Sequence, residues 1–201
     1  SNLGDDDESI GDFSAQLSAN IFGAEALRRL IQQQSLAVFC TGVIELNQYA
    51  ARLAATALQR IPDGYYQFED HMDDDGQNNY KISIKLSLSI QRGLVKADFT
   101  GSADQVPGNI NCPLSVTVAG VYYAMRCLMP MQTPACDGAF RAIEVIAPAG
   151  SLLNARFPAA VAAGNVETST RVVDVTLGAL SQALPERIPA ASHGRMNNVA
   201  L

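Results

Sequence analysis

The residues from Gly164 to Asp174 have types and spacings that could do chemistry. Gly164 and Asn165 form a turn, and Glu167 follows two residues after Asn165. Arg171 comes four residues after Glu167, and Asp174 three residues after Arg171. In a helix that continues to Leu184, these three charged residues would share one face, while most of the remaining circumference is apolar. A glycine-asparagine turn that opens a helix presents free amides and the positive end of the helix dipole, which suits an anion or a polarised carbonyl.

A purely structural interpretation explains the same residues. Glu167 and Arg171 would be an ordinary helix-surface ion pair, stabilising the helix by about 0.2–0.5 kcal/mol. Thr168 or Ser169 would be the N-cap, accepting a hydrogen bond from an amide of the first turn. The residue types alone leave both interpretations open.

A second polar loop resembles the first. Gly108 and Asn109 are followed by Asn111 and Pro113, and an apolar segment begins at Leu114. Two such turns leading into buried helices could converge on one anionic or amide-bearing ligand. Alternatively, each asparagine occupies a left-handed turn and caps its own helix, with Asn111 as the cap and Pro113 in the first turn.

Other reaction types have little support in the sequence. His71 precedes three aspartates (73–75), but an EF-hand register would place Ile82 where a bidentate glutamate is needed. Asp75-Gly76 is instead typical of a hairpin turn. The chain contains neither a phosphate-binding GxxxxGK[ST] loop nor a GxSxG nucleophile motif. We therefore expect no metal site within this chain.

Composition narrows the class of protein. The 201 residues are 48% hydrophobic and 17% charged, enough for a sizeable core, and the net charge of −6 argues against nucleic-acid binding. The sequence shows neither a signal peptide nor a membrane-spanning segment, so we expect a soluble, cytoplasmic protein without a membrane partner. Four widely spaced cysteines without a CxxC pair predict buried free thiols: Cys40, Cys112, Cys127 and Cys136.

The periodicity of apolar residues predicts an α+β fold in three parts. Residues 1–11 are acidic and aperiodic and should form a disordered leader, whereas 12–63 show helical spacing in two long segments that predict a helical hairpin. Residues 64–201 should form an α+β region of one domain of a larger subunit. Strict alternation from Tyr80 to Ile90, and a turn at 91–93, predict an antiparallel β-meander with one wet face.

Two further buried helices are predicted in the same region. One runs from Leu114 to Met129, and the other follows the Gly164 turn. A short strand from Phe140 to Ile146 lies between them. The polar loops described above would cap these two helices.

Five segments of the chain occur in the order seen in the hydantoinase B/oxoprolinase family, which this sequence resembles from about Asp12 to Leu201. Motifs of this length, linked in this order, are specific evidence for the resemblance, although each motif alone would be weak evidence. They are Asp98-Phe99-Thr100-Gly101-Ser102, Gly108-Asn109-Ile110-Asn111, the segment 121–128 (Val-Tyr-Tyr-Ala-Met-Arg-Cys-Leu), Gly164-Asn165-Val166-Glu167-Thr168-Ser169, and Met196-Asn197-Asn198.

The resemblance implies a fragment of a B-type subunit that acts with an A-type, ATP-using subunit or domain. Such pairs open the cyclic amide of hydantoins or 5-oxoproline. ATP would then come from the partner and a divalent metal from a missing upstream region, so the isolated fragment should be inactive. The candidate pocket residues are Asn109, Asn111, Asn165 and Glu167, with Arg171 and Asp174 holding Glu167 in place. Two alternatives remain: a non-catalytic interface module that binds the A-type subunit, and part of a carboxylase subunit similar to acetone carboxylase.

The chain departs from the family pattern in two places. Where Asn-x-Gly-Cys-Phe-Arg-Pro is common, this chain runs from Cys136 to Ala142 as Cys-Asp-Gly-Ala-Phe-Arg-Ala. Where Ala-Ser-Gln-Gly-Thr-Met-Asn-Asn is usual, His193 and Arg195 replace the glutamine and the threonine. These changes alter charge and hydrogen bonding, and the sequence leaves the substrate, the oligomeric state and the choice between hydrolase and carboxylase open.

Overall fold

The computed structural model describes residues 6–191, with side chains from residue 10 onward. The chain divides after Gln48 into two compact units, here called the N-terminal and the C-terminal unit. Residues 1–5 of the predicted leader, and His193 and Arg195 near the C-terminus, lie outside the described residues. Among the residues that are described, no helix is both long enough and apolar enough to span a bilayer.

Two helices dominate the first part of the chain, as the sequence predicts. Helix α1 is Asp6–Gln34 and helix α2 is Leu36–Leu58. Ser35, between them, adopts a φ of 71°, and its hydroxyl accepts a hydrogen bond from the amide of Val38. The apolar residues of α1 are largely exposed: Phe13 by 58%, Leu17 by 64% and Ile21 by 61%.

A four-stranded mixed sheet forms one layer of the C-terminal unit. Its strands, in spatial order, are β1 (Gly64–Asp74), β2 (Tyr80–Gln91), β3 (Leu94–Asp98) and β4 (Ile143–Ile146). The first three pair antiparallel, which confirms the predicted meander, whereas β4 joins β3 in parallel. The alternation in β2 is confirmed, because Ile82, Ile84, Leu86, Leu88 and Ile90 are all buried.

Two helices complete the unit. Helix α4 (Thr168–Ala183) packs on β1 and β2, and helix α3 (Leu114–Arg126) packs on α4. Val172, Val175, Ala179 and Leu180 of α4 are fully buried, as its apolar pattern predicts. The α+β fold class is therefore confirmed.

Both predicted helix caps are wrong. Pro113 occupies the N-cap position of α3, and Glu167 that of α4; neither makes a side-chain capping bond. The hydroxyl of Thr168 donates to the carbonyl of Ile110 and that of Ser169 to the carbonyl of Asn165. The two hydroxyls thus donate to carbonyl oxygens, one in a distant loop and one in the preceding turn, instead of accepting the predicted hydrogen bonds from amides.

Two element boundaries also differ from prediction. Strand β4 begins at Ile143 because a short 3₁₀ turn occupies Asp137–Phe140, and α3 ends at Arg126. A second 3₁₀ turn, Ala162–Asn165, precedes α4. It contains the glycine-asparagine turn singled out by the sequence.

Candidate functional site

Three segments far apart in the sequence meet at one end of the C-terminal unit: the β1–β2 turn, the loop that precedes α3, and the turn that precedes α4. Asp75 joins the first two. Its carboxylate accepts hydrogen bonds from the amides of Gln77 and Asn79, from the side chain of Asn79, and from the amide of Gly108 at 3.1 Å. A β-carbon at Gly108 would lie 2.0 Å from the carbonyl oxygen of Asp75, so only glycine allows this approach.

Asn111 joins the second segment to the third. It is fully buried; its side-chain oxygen accepts the amide of Val106 at 2.8 Å. Its side-chain NH₂ donates to the carbonyls of Val106, Gly108 and Ala160, each at 2.9 Å. Asn111 thus holds the two loops together, and its polar atoms are engaged within the protein rather than facing a ligand.

Further contacts hold the second and third segments together. The amide of Ala163 donates to the carbonyl of Asn109 at 3.0 Å, and the thiol of Cys112 lies 3.2 Å from the carbonyl oxygen of Gly164 as a hydrogen-bond donor. The two glycine-asparagine turns therefore lie against each other.

A cleft of about 260 Å³ opens where the three segments meet. Asn109 and Glu167, two of the residues predicted to line a pocket, both face it. The remaining lining residues are Met72, Asp73, Asp74, Asp75, Gly76, Ile110 and Ala163. The cleft thus combines a carboxamide, which can donate and accept, with carboxylates, which accept hydrogen bonds from N–H groups.

Asn165 does not share this cleft. It lies on a separate depression of about 230 Å³ between α3 and α4, beside Gly120 and Ser169. Asn109 and Glu167 therefore line the same cleft, and Asn165 lies on another surface. Asn111 is buried and connects two loops.

Arg171 and Asp174 do not line this cleft. Arg171 donates through Nη1 to Oδ2 of Asp70, on β1, at 2.8 Å. Asp70 and Asp174 line a third cavity, of about 440 Å³, together with Phe68, Leu177 and other residues of α4 and the chain that follows it. Asp70 was not predicted as a site residue. In the alternating series Tyr66, Phe68, Asp70 it places a charge on the face where apolar residues are expected, and this charge was a signal for a buried partner.

Two titratable groups near the cleft, Asp75 and Cys112, have perturbed pKa values. Burial alone would raise the pKa of Asp75, but the bonds from Asn79, Gln77 and Gly108 outweigh it and hold that pKa below its ordinary value. Burial raises the pKa of the Cys112 thiol to about 12, so Cys112 is a neutral core residue and not a nucleophile. All four cysteines are free, but Cys40 and Cys127 are exposed, which corrects the expectation of burial.

A metal does not fit the donors in this region. Among the residues that the structure describes, no three His, Cys, Asp or Glu side chains lie close enough together to hold an ion. Both carboxylate oxygens of Asp75 already accept bonds from the protein. The β1–β2 turn is thus held by hydrogen bonds.

Comparison with known proteins decides the family. The family model for hydantoinase B/oxoprolinase matches residues 5–201. The chain belongs to this family. That membership confirms the resemblance seen in the five sequence motifs.

Three known proteins illustrate what the chain is similar to. It is 34% identical to 5-oxoprolinase 1 of Arabidopsis thaliana over 96% of its length and 16% of that protein. It is 29% identical to the B-type subunit of a putative D-/L-hydantoinase from a Pseudomonas species, over 90% of its length and 32% of that protein. The crystal structure of an ATP-dependent caprolactamase from Pseudomonas jessenii superposes with a TM-score of 0.81 and 27% identity, covering 93% of this chain and 32% of that one. The chain thus spans a third or less of the relatives it matches.

Proposed function

We propose that the chain is part of a B-type subunit or domain of an ATP-dependent hydrolase of cyclic amides. The observation that carries the proposal is the cleft that Asn109 and Glu167 both line. Its two loops are family motifs, and the family includes proteins named for 5-oxoproline, hydantoin and caprolactam chemistry. The whole protein would act on a small cyclic amide together with an A-type partner.

The cleft suits a cyclic amide for a chemical reason. The carboxamide of Asn109 can donate to a ring carbonyl oxygen, and the carboxylate of Glu167 can accept a hydrogen bond from a ring N–H. Together, these groups would orient the ring while the carbonyl is attacked. We assign ATP to the A-type partner and the divalent metal to residues outside this chain, so the isolated chain should be inactive.

Paired substitutions in the full-length protein, reconstituted with its A-type partner, test this function. Asn109→Ala and Glu167→Gln should each lower kcat/KM for ATP-dependent ring opening about 10- to 100-fold, since the first removes a hydrogen bond to the bound ring and the second replaces a charged acceptor by a weaker, neutral one. Asn165→Ala is the matched control and should leave kcat/KM within about twofold. The assay covers hydantoin, 5-oxoproline and caprolactam. Unchanged turnover in both cleft variants would refute the pocket.

An interface function is a second candidate, favoured by the exposed apolar row of α1. Phe13, Leu17 and Ile21 recur at spacings of four and are each more than half exposed. Such a row is typical of a helix that docks into an apolar groove of a partner, and we propose the A-type subunit as its occupant. Leu17→Asp should then weaken co-sedimentation of the two subunits, whereas Gln16→Asp, at an adjacent exposed position, should not. Equal co-sedimentation of both variants would exclude this contact.

A further inference from the structure

The β1–β2 turn does more than reverse the chain. Asp74 makes the bond that a local turn needs, since its carboxylate accepts the amide of Gly76 at 2.8 Å from an exposed position. Asp75 is only 5% exposed, and one of its oxygens reaches Gly108, a residue 33 positions away. A turn needs no such bond to close.

We propose that Asp75 is the positioning residue of the cleft, since its carboxylate holds the Gly108 amide and so sets Asn109 opposite Glu167. This inference rests on the proposed function, because it concerns how the same cleft binds its amide. The Gly108 N–H belongs to the Pro107–Gly108 peptide unit, so its bond to Asp75 fixes the peptide from which the chain leads into Asn109. Asn79 steadies the same carboxylate oxygen through its side-chain NH₂ at 2.8 Å.

Asp75→Asn separates the two roles of this side chain, which are the local bonds within the turn and the bond to the Gly108 amide. The retained side-chain oxygen can still accept the amides of Gln77 and Asn79, which now bond to Oδ1. The new NH₂ group takes the place of Oδ2 and presents a donor to the Gly108 amide, which is also a donor, so that this bond is lost. Asp98→Asn is the matched control: Asp98 also accepts a local amide, that of Thr100 at 2.9 Å, and lies outside the cleft.

The experiment uses the full-length protein with its A-type partner and the cyclic amide that the wild type opens fastest among hydantoin, 5-oxoproline and caprolactam. Asp75→Asn should raise KM about tenfold with kcat within about threefold, since a displaced binding group weakens ground and transition states alike. Asp98→Asn should leave KM within about twofold. In the double variant Asp75→Asn/Asn109→Ala, KM should equal that of Asn109→Ala alone, because Asp75 acts through Asn109.

Each outcome decides one question. If Asn109→Ala raises KM but Asp75→Asn changes it no more than Asp98→Asn, the positioning inference is wrong and the proposed function stands. If KM effects of Asp75→Asn and Asn109→Ala multiply, Asp75 acts independently and the inference is wrong. If Asn109→Ala and Glu167→Gln both leave KM and kcat unchanged, the pocket of the proposed function itself fails. Should Asp75→Asn not fold, Asn79→Ala keeps the carboxylate, removes its steadying bond, and should raise KM about threefold; an unchanged KM would overturn the inference.

Discussion

Gly164 lies so close to the backbone of Asn111 that a β-carbon at position 164 would stand 1.9 Å from the carbonyl oxygen of Asn111. This approach is what brings the turn before α4 against the loop before α3. It explains the glycine at position 164 as a packing requirement, because any larger residue would separate the two segments.

Gly164→Ala should therefore lower the free energy of unfolding by about 3 kcal/mol, since backbone atoms on both sides must move to relieve the overlap. Urea unfolding measures the change. The control is Gly42→Ala in helix α2, where no atom lies within 4 Å of the added carbon apart from the adjacent residues and the helix's own backbone. That substitution should stabilise the helix by about 1 kcal/mol. Equal effects at both sites would contradict the packing argument.

Asn111→Asp should destabilise the protein by about 2–4 kcal/mol, because a carboxylate oxygen would replace the NH₂ group that now serves three carbonyls. Asn109→Asp, two residues earlier on an exposed position, should change stability by less than about 0.5 kcal/mol. Thermal unfolding of both variants at neutral pH makes the comparison. A small effect at Asn111 would mean that the loops are held by other contacts.

The ion pair between Arg171 and Asp70 should show a coupling of about 1 kcal/mol in a double-mutant cycle with Arg171→Gln and Asp70→Asn. Its side chains are 20% and 35% exposed, so solvent screens it only in part. The pair Arg141–Asp137, with side chains 54% and 77% exposed, is the matched control and should give about 0.3 kcal/mol. A larger coupling at the exposed pair would be inconsistent with burial as the cause.

Cys112 should resist alkylation by iodoacetamide at about pH 8 in the folded protein, because burial raises its pKa to about 12 and blocks access. Cys127 is exposed and should react within the same period. Mass spectrometry of the peptides separates the two sites, and urea should make Cys112 reactive. Fast labelling of Cys112 without urea would show that its loop opens.

Regular elements could be predicted because their signals are local. The alternation along β2 and the apolar faces of α4 follow directly from side-chain periodicity. The parallel pairing of β4 with β3 could not, since four residues carry too little pattern to select a neighbour. Topology of this kind depends on contacts between distant segments.

The candidate site was predicted only in part, for a similar reason. The two glycine-asparagine loops could be found from residue types, and so could the expectation that they converge. Asn109 lines the cleft, whereas Asn111 is buried. This difference depends on which way each side chain points. Neighbouring asparagines are equivalent in a sequence, whereas only one of them can lie between two loops.

The contacts that form the cleft have a consequence for folding. The bonds from Gly108 to Asp75, from Cys112 to Gly164 and from Thr168 to Ile110 join residues 33, 52 and 58 positions apart. No short segment of the chain can form the cleft by itself. The cleft forms only when the distant segments of the C-terminal unit have come together. A compound that binds there would therefore bind the native state alone, raise the melting temperature, and slow amide exchange in all three segments together.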